Sequence, residues 1–214
     1  MTETPTNVES LLAVFDDMRE IRALMKDVDV SQRYKYGGGT ALHIASQSSS
    51  PRSFKVANIL LSMGADSNAQ DEEGRTPLHL ANSLQKTKTL LRAGANHSLA
   101  DQWGFTPAHY AADQAVNWRS PRSPFGSDET KMQMEKVAML HAAGADLEVT
   151  NIFGVSAMSV LKQCSNRVPG AAELVVGIEK QQLIDSLGTA WKPGDCKHAQ
   201  EQQQEERVTR QRKM

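Results

Sequence analysis

The sequence predicts an all-α solenoid of helix–turn–helix repeats joined by extended hairpin fingers. Three observations predict it. The first is a recurring phrase: "GGTALHIAS" at 38–46, "GRTPLHLAN" at 74–82 and "GFTPAHYAA" at 104–112, with a worn copy, "GVSAMSVLK", at 154–162. The second is another phrase: "LLSMGAD" ending at Asp66, "LLRAGAN" ending at Asn96 and "MLHAAGAD" ending at Asp146. The third is their constant phase. Gly64 to Thr76, Gly94 to Thr106 and Gly144 to Ser156 are each 12 residues, whereas Thr40 to Gly64, Thr76 to Gly94 and Thr106 to Gly144 span 24, 18 and 38. All the length variation therefore falls inside the helix pair, and the turn between pairs is fixed.

The two phrases in this phase resemble the ankyrin repeat, whose period is ~33 residues with a Thr-Pro-Leu-His signature. The resemblance covers roughly residues 27–180 and implies an ankyrin-type solenoid. Each position has a physical reason. Thr76 and Thr106 are N-cap residues for a first helix, and Pro77 and Pro107 take its first position, where a missing N–H costs nothing. Leu42, Leu78, Ala45 and Ala81 face inward, the small Ala letting neighbouring helices approach. The second helix carries "ANILLSM", "KTLLRA" and "VAMLHAA", with Leu pairs to bury. Gly64, Gly94 and Gly144 end it in a left-handed cap. The fingers follow, and Gly74, Gly104 and Gly154 turn the chain into the next helix.

The parts divide as follows. Residues 1–8 are expected to be disordered, and 9–38 form a degenerate capping repeat. Its helix at 9–26 lines up Leu11, Leu12, Phe15, Met18, Ile21 or Arg22, and Met25 on one stripe. Repeat 1 is 39–73. Repeat 2 is 74–103 and about three residues short, so its helices are clipped. Repeat 3 is 104–153 with an inserted loop at 116–132, and a second insertion falls at 46–54. A degenerate C-terminal repeat and cap fills 154–187, closed by a helix at 171–187 that Gly188 and Pro193 break. Residues 188–214 form a tail expected to be disordered, Gln/Glu/Arg-rich from Lys197 to Met214 with too little apolar surface to fold.

Composition excludes several functions. The formal net charge is −1, so nothing global draws the chain to nucleic acid or anionic lipid. No stretch reaches the ~18 apolar residues of a membrane span. The two cysteines, Cys164 and Cys196, lack any metal or redox spacing, which points to a reducing compartment. A cytosolic or nuclear location is expected.

The repeated histidines, His43, His79 and His109, invite a metal. Stacked helices lie ~8–10 Å apart, and a zinc ion needs nitrogens ~2.0–2.1 Å away, so equivalent residues do not converge on one ion. The resemblance implies a structural role instead, with each imidazole bonded to Thr40, Thr76 or Thr106 and to backbone near the finger. No metal site, cofactor or catalytic residue is expected. The rival reading is an enzyme using Cys196 and His198 in "GDCKHA", where no orienting acid is in view.

What remains is surface. The resemblance implies that a partner binds the finger tips and the exposed face of the first helices. The candidates are Tyr34, Tyr36, Glu72, Glu73, Arg75, Gln102, Trp103, Phe105, Ile152 and Phe153. The apolar tips Trp103, Phe105, Ile152 and Phe153 depart from the polar tips usual in the family, and exposed aromatics mark interface hot spots. The Ser-Pro sequences make Ser50, Ser120 and Ser123 candidate phosphorylation sites, and the resemblance makes Asn68 a candidate for asparaginyl hydroxylation. The expected function is a non-catalytic adaptor or small inhibitor that binds a protein and works as a monomer.

Overall fold

A computed structural model describes residues 29–34, 37–50, 53–117, 128–165 and 170–190. It contains eight helices among them: α1 Ala41–Gln47, α2 Ser53–Ser62, α3 Pro77–Leu80, α4 Leu84–Arg92, α5 Pro107–Asn117, α6 Asp128–Ala142, α7 Ala157–Cys164 and α8 Ala171–Ala190. The β structure among the described residues is two isolated antiparallel bridges, Arg33 with Thr40 and Thr150 with Ser156. Each bridge closes the base of a finger. The chain divides between Ala172 and Glu173, and α1 to α7 all lie in the first unit.

Two rows of helices follow from the repeat. First helices pack on first helices, α1 on α3, α3 on α5 and α5 on α7, while α2 packs on α4 and α4 on α6. The same sequence position is buried in each repeat. Leu42, Leu78, Ala108 and Met158 stand two residues after the capping Thr or Ser, and all are buried. Leu60, Leu90 and Leu140 stand four before the Gly of the second phrase and are likewise buried. Their partners in the expected Leu pairs, Leu61 and Leu91, are only half-buried. Fully burying one such leucine stabilises the fold by ~1.5–3 kcal/mol.

In the second repeat only the first helix is clipped; the second, α4, keeps nine residues against ten in α2. The first helix, α3, has four residues, and Ala81 leaves helical geometry at ψ 110°. Ser83 then caps α4 by accepting from the Lys86 backbone N–H. The two insertions are shorter than expected. Helix α1 runs through Gln47 and α2 begins at Ser53, inside the expected loop at 46–54. In the expected loop at 116–132, α5 continues through Asn117 and α6 already begins at Asp128. Asp128 and Glu129 sit in the first turn of α6, where the helix dipole favours carboxylates. Residues 118–127 lie outside the described residues, as do the expected N-terminal helix at 9–26 and the tail from residue 191. Gly188 does not end α8, which reaches Ala190; one glycine costs a helix only ~1 kcal/mol.

At the end of the stack opposite the fingers, two lysines do what the sequence did not advertise. Lys86 on α4 and Lys136 on α6 are 2% and 1% exposed. The Lys86 ammonium donates to the carbonyl of Ser46 at 3.0 Å, to Asn82 Oδ1 at 2.7 Å and to the Ser48 carbonyl. Lys136 donates to the carbonyl of Ala81. Each lysine thus reaches back one repeat to cap the last turn of a first helix, whose carbonyls lack intrahelical partners and favour a cation. Burial pulls both ammonium groups down to about 8; for Lys136 the attraction of Glu129 opposes this.

Successive fingers approach closely enough to make glycine obligatory. Gly104 has φ +80°, and a Cβ there would lie 3.1 Å from Asn151 Cα and 3.2 Å from Ile152 N. Gly154 has φ +72° and open space around it. Gly154→Ala therefore carries only the left-handed backbone cost, ~1–2 kcal/mol. Gly104→Ala carries that cost and must also push one finger off the next. Urea denaturation of the two variants is expected to show the larger loss for Gly104→Ala.

Candidate partner-binding surface

The fingers are built from a repeated local turn. Asp71, Asp101 and Asn151 stand three residues before Gly74, Gly104 and Gly154. Asp71 Oδ1 accepts from the backbone N–H groups of Glu73 and Arg75 at 3.0 and 2.8 Å. Asp101 Oδ1 does the same for Trp103 and Phe105, both at 2.9 Å. Asn151 repeats it for Phe153 and Val155 at 2.9 and 3.0 Å. Short side chains that bond backbone two residues on are the turn formers of choice. The fingers are then tied to each other through backbone: Glu72 N to Gly37 O, Gln102 N to Glu73 O and Ile152 N to Trp103 O, each at 3.0 Å. The tips are therefore held in register without help from the side chains that project from them.

Below the fingers, the three histidines answer the question their spacing raised. The Thr40, Thr76 and Thr106 backbone N–H groups donate to Nδ1 of His43, His79 and His109 at 3.0, 2.9 and 3.1 Å. Across each ring, Nε2 faces the carbonyl of Arg75, Phe105 or Val155 at 3.0, 3.0 and 3.1 Å. A carbonyl carries no proton, so Nε2 holds it and Nδ1 accepts; both hydrogen bonds fix the neutral tautomer. Burial lowers all three pKa values, His79 to about 4, against the opposing pull of the facing carbonyl. The rings belong to the frame. Among the described residues no group of His, Cys, Asp and Glu is placed to hold a metal ion. Cys196 and His198 lie outside the described residues.

The expected surface residues divide by environment. Trp103, Ile152 and Phe153 are 37%, 66% and 67% exposed and occupy successive fingers. Phe105 is half-buried behind them, 6.1 Å from Phe153 between ring centroids. It also packs edge-to-face with His109 at 5.7 Å and with Tyr110 at 6.1 Å. Tyr110 escaped the sequence analysis. Its hydroxyl donates to Asp101 Oδ2 at 2.9 Å, so that one carboxylate braces both the finger turn and the aromatic cluster. Burial and then Asp101 push the phenol's pKa upward.

The charged candidates are not all free. Arg75 bonds Asp71 through Nε and Nη2, both at 2.9 Å, and Glu73 at 2.8 Å. Glu72 and Gln102 stand exposed. Tyr34 is half-buried, which pushes its phenol up to about 12, and Tyr36 lies outside the described residues. Asn68 uses its amide between repeats, accepting from Asn96 N at 2.7 Å and donating to Gly94 O at 3.3 Å. Ser50 lies in the α1–α2 loop, half-buried; Ser120 and Ser123 lie outside the described residues.

The profile for ankyrin repeats (3 copies) matches residues 53–118, from the start of α2 to just past α5. No curated protein matches the chain.

The buried neutral histidines give stability a pH dependence. For His79 the folded pKa of about 4 lies below the ordinary 6.5. Its contribution is complete above pH 6.5 and is lost as pH falls through 4. The expected loss from pH 7 to 4 is on the order of 3 kcal/mol for this residue, with His43 and His109 acting in the same direction. Urea denaturation across this range is expected to show the slope, and His79→Gln, less stable at pH 7, is expected to show a shallower one.

Proposed function

Since this chain is an ankyrin repeat protein, we propose that it holds a protein partner on its finger tips and acts without chemistry of its own, as an adaptor or a small inhibitor. Ankyrin repeats are in general protein–protein interaction modules and typically non-catalytic. The observation that carries the reading is the run of three exposed apolar side chains, Trp103, Ile152 and Phe153, on two adjacent fingers whose backbones are bonded together.

The energetics favour this use. A binding surface stiffened in advance loses little entropy when it docks. Here the Asx turns, the inter-finger ladder and the Phe105–Tyr110–Asp101 brace provide the stiffness. Such a patch accepts an apolar group from the partner, with Phe105 as the floor. Glu72 and Gln102 form a polar rim that orients the approach. Arg75 contributes little there, because its charge is spent on Asp71 and Glu73. The proposed partner is a protein, met by this chain as a monomer in the cytoplasm or nucleus. An inhibitor occludes a site on that one partner, whereas an adaptor brings a second.

Phe153→Ala and Trp103→Ala are each expected to weaken capture by roughly thirty- to a thousand-fold, the ~2–4 kcal/mol of a hot-spot truncation. Glu72→Ala is expected to cost much less and to act mainly on the association rate. The melting temperature of Phe153→Ala is expected to match the parent, since its side chain is mostly in water. Affinity capture with the full chain and both variants, followed by calorimetry on the protein retained, measures this. Undiminished capture by both variants would rule out the finger tips as the binding surface.

A further inference from the structure

At the end of the stack opposite the fingers, the clipped second repeat leaves a notch. Helix α3 has four residues, while α1 and α5 on either side have seven and eleven. The link from α3 to α4 is correspondingly set back. The resulting cavity of 660 Å³ has one wall from Ser48, Ser49 and Phe54, a floor of Asn82, Ser83 and Lys86, and an opposite wall from Gln114, Glu129 and Gln133. The apolar finger patch takes no part in it.

The electrostatics of the notch are unbalanced. Lys136 has Glu129 as an attracting charge. Lys86 has carbonyl and amide oxygens only, and its depressed pKa arises from burial alone. A buried cation without an opposite charge is costly. Around it, three hydroxyls have protons to give. Ser48 Oγ accepts from Ser50 N at 3.2 Å, Ser49 Oγ from Asn82 Nδ2 at 3.4 Å and Ser83 Oγ from Lys86 N at 3.4 Å. None of the three donates to a described group, so each O–H is available to an acceptor in the notch. On the opposite wall the imbalance is reversed. Gln133 is 1% exposed and its Oε1 has no hydrogen-bond partner. Its Nε2 donates to Glu129 Oε1 at 3.3 Å. A buried acceptor left unpaired costs ~1–3 kcal/mol.

We infer that the notch binds a small oxyanion that carries a hydrogen-bond donor of its own. The anionic oxygens lie over Lys86 and accept from the Ser48, Ser49 and Ser83 hydroxyls. The donor, an ammonium or hydroxyl, turns to Glu129, whose carboxylate Gln133 Nε2 holds in place. Amino acids and phosphate monoesters share this chemistry, and the volume admits either. Binding would join repeats 1, 2 and 3 at their shortest member, independently of the fingers.

The test is isothermal titration calorimetry of the full chain with three probes: O-phospho-L-serine, inorganic phosphate and L-serine. Saturable binding of O-phospho-L-serine is expected. Binding by phosphate but not L-serine identifies a phosphate site, and the converse identifies a carboxylate site. Lys86→Met is expected to weaken the binding probe by about tenfold or more, ~1.4 kcal/mol. Ser49 is exposed, so Ser49→Ala keeps the inference testable if Lys86→Met fails to fold; a loss of several-fold is expected at unchanged melting temperature. Trp103→Ala is expected to bind the probe like the parent, which separates this site from the partner surface. The inference is overturned if no probe gives saturable heat up to about 10 mM, or if Ser49→Ala binds like the parent while Lys86→Met either does the same or fails to fold.

Discussion

The structure depends on one relay of hydrogen bonds that passes alternately through imidazole rings and peptide groups. His43 donates to the carbonyl of Arg75, and the same peptide group's N–H, on Thr76, donates to His79. His79 donates to the Phe105 carbonyl, and the N–H of Thr106 donates to His109. His109 donates to Val155, and the Ser156 N–H donates at 3.0 Å to Ser159 Oγ. Each peptide is polarised at both ends, so the links strengthen one another. Only a neutral imidazole offers an acceptor and a donor on opposite sides of a rigid ring. The relay stops where the histidine does: Ser159 returns its proton to the Ser156 carbonyl of its own repeat at 2.7 Å.

This arrangement separates two tasks. The relay, the buried leucines and the lysine caps hold the helices together from within. The backbone ladder between fingers then fixes the tips, leaving Ile152 and Phe153 mostly in water and Trp103 37% exposed. Exposed aromatics at rigid positions are what the proposed partner surface draws on. That rigidity, rather than the apolar character alone, links the fold to the proposed partner binding. At the other end, Lys86 is structural through its three acceptors, and the charge they leave unbalanced is what the proposed oxyanion site draws on.

Much of this was legible in the sequence because the repeat superimposes its own evidence. The constant 12-residue phase from Gly64 to Thr76 and from Gly94 to Thr106 fixed the turn before any helix was assigned. The two insertions were read as loops throughout because Ser, Pro and Arg carry no periodicity. Yet Asp128 and Glu129 open a helix, a signal masked by the loop-like residues before them. The lysine caps were hidden for a different reason. Lys86 and Lys136 each stand eight residues before Gly94 and Gly144, a regularity visible only once repeats are aligned on that glycine. Composition assigns lysine to the surface, and the tertiary need of an uncapped helix end overrode it. Tyr110 was missed because its role is set by Asp101, nine residues earlier in another element. The exposed tips were legible because apolar residues there depart from the polar tips that the family resemblance implies.

The central claim is that the repeated His builds the frame and carries no chemistry. Nitrogen NMR of the imidazole rings at pH 7, with and without added zinc, tests it directly. The account predicts that His43, His79 and His109 are neutral, protonated on Nε2, bonded at Nδ1 and unchanged by the metal. An imidazolium, a proton on Nδ1 or a zinc-dependent shift at any of the three would contradict it.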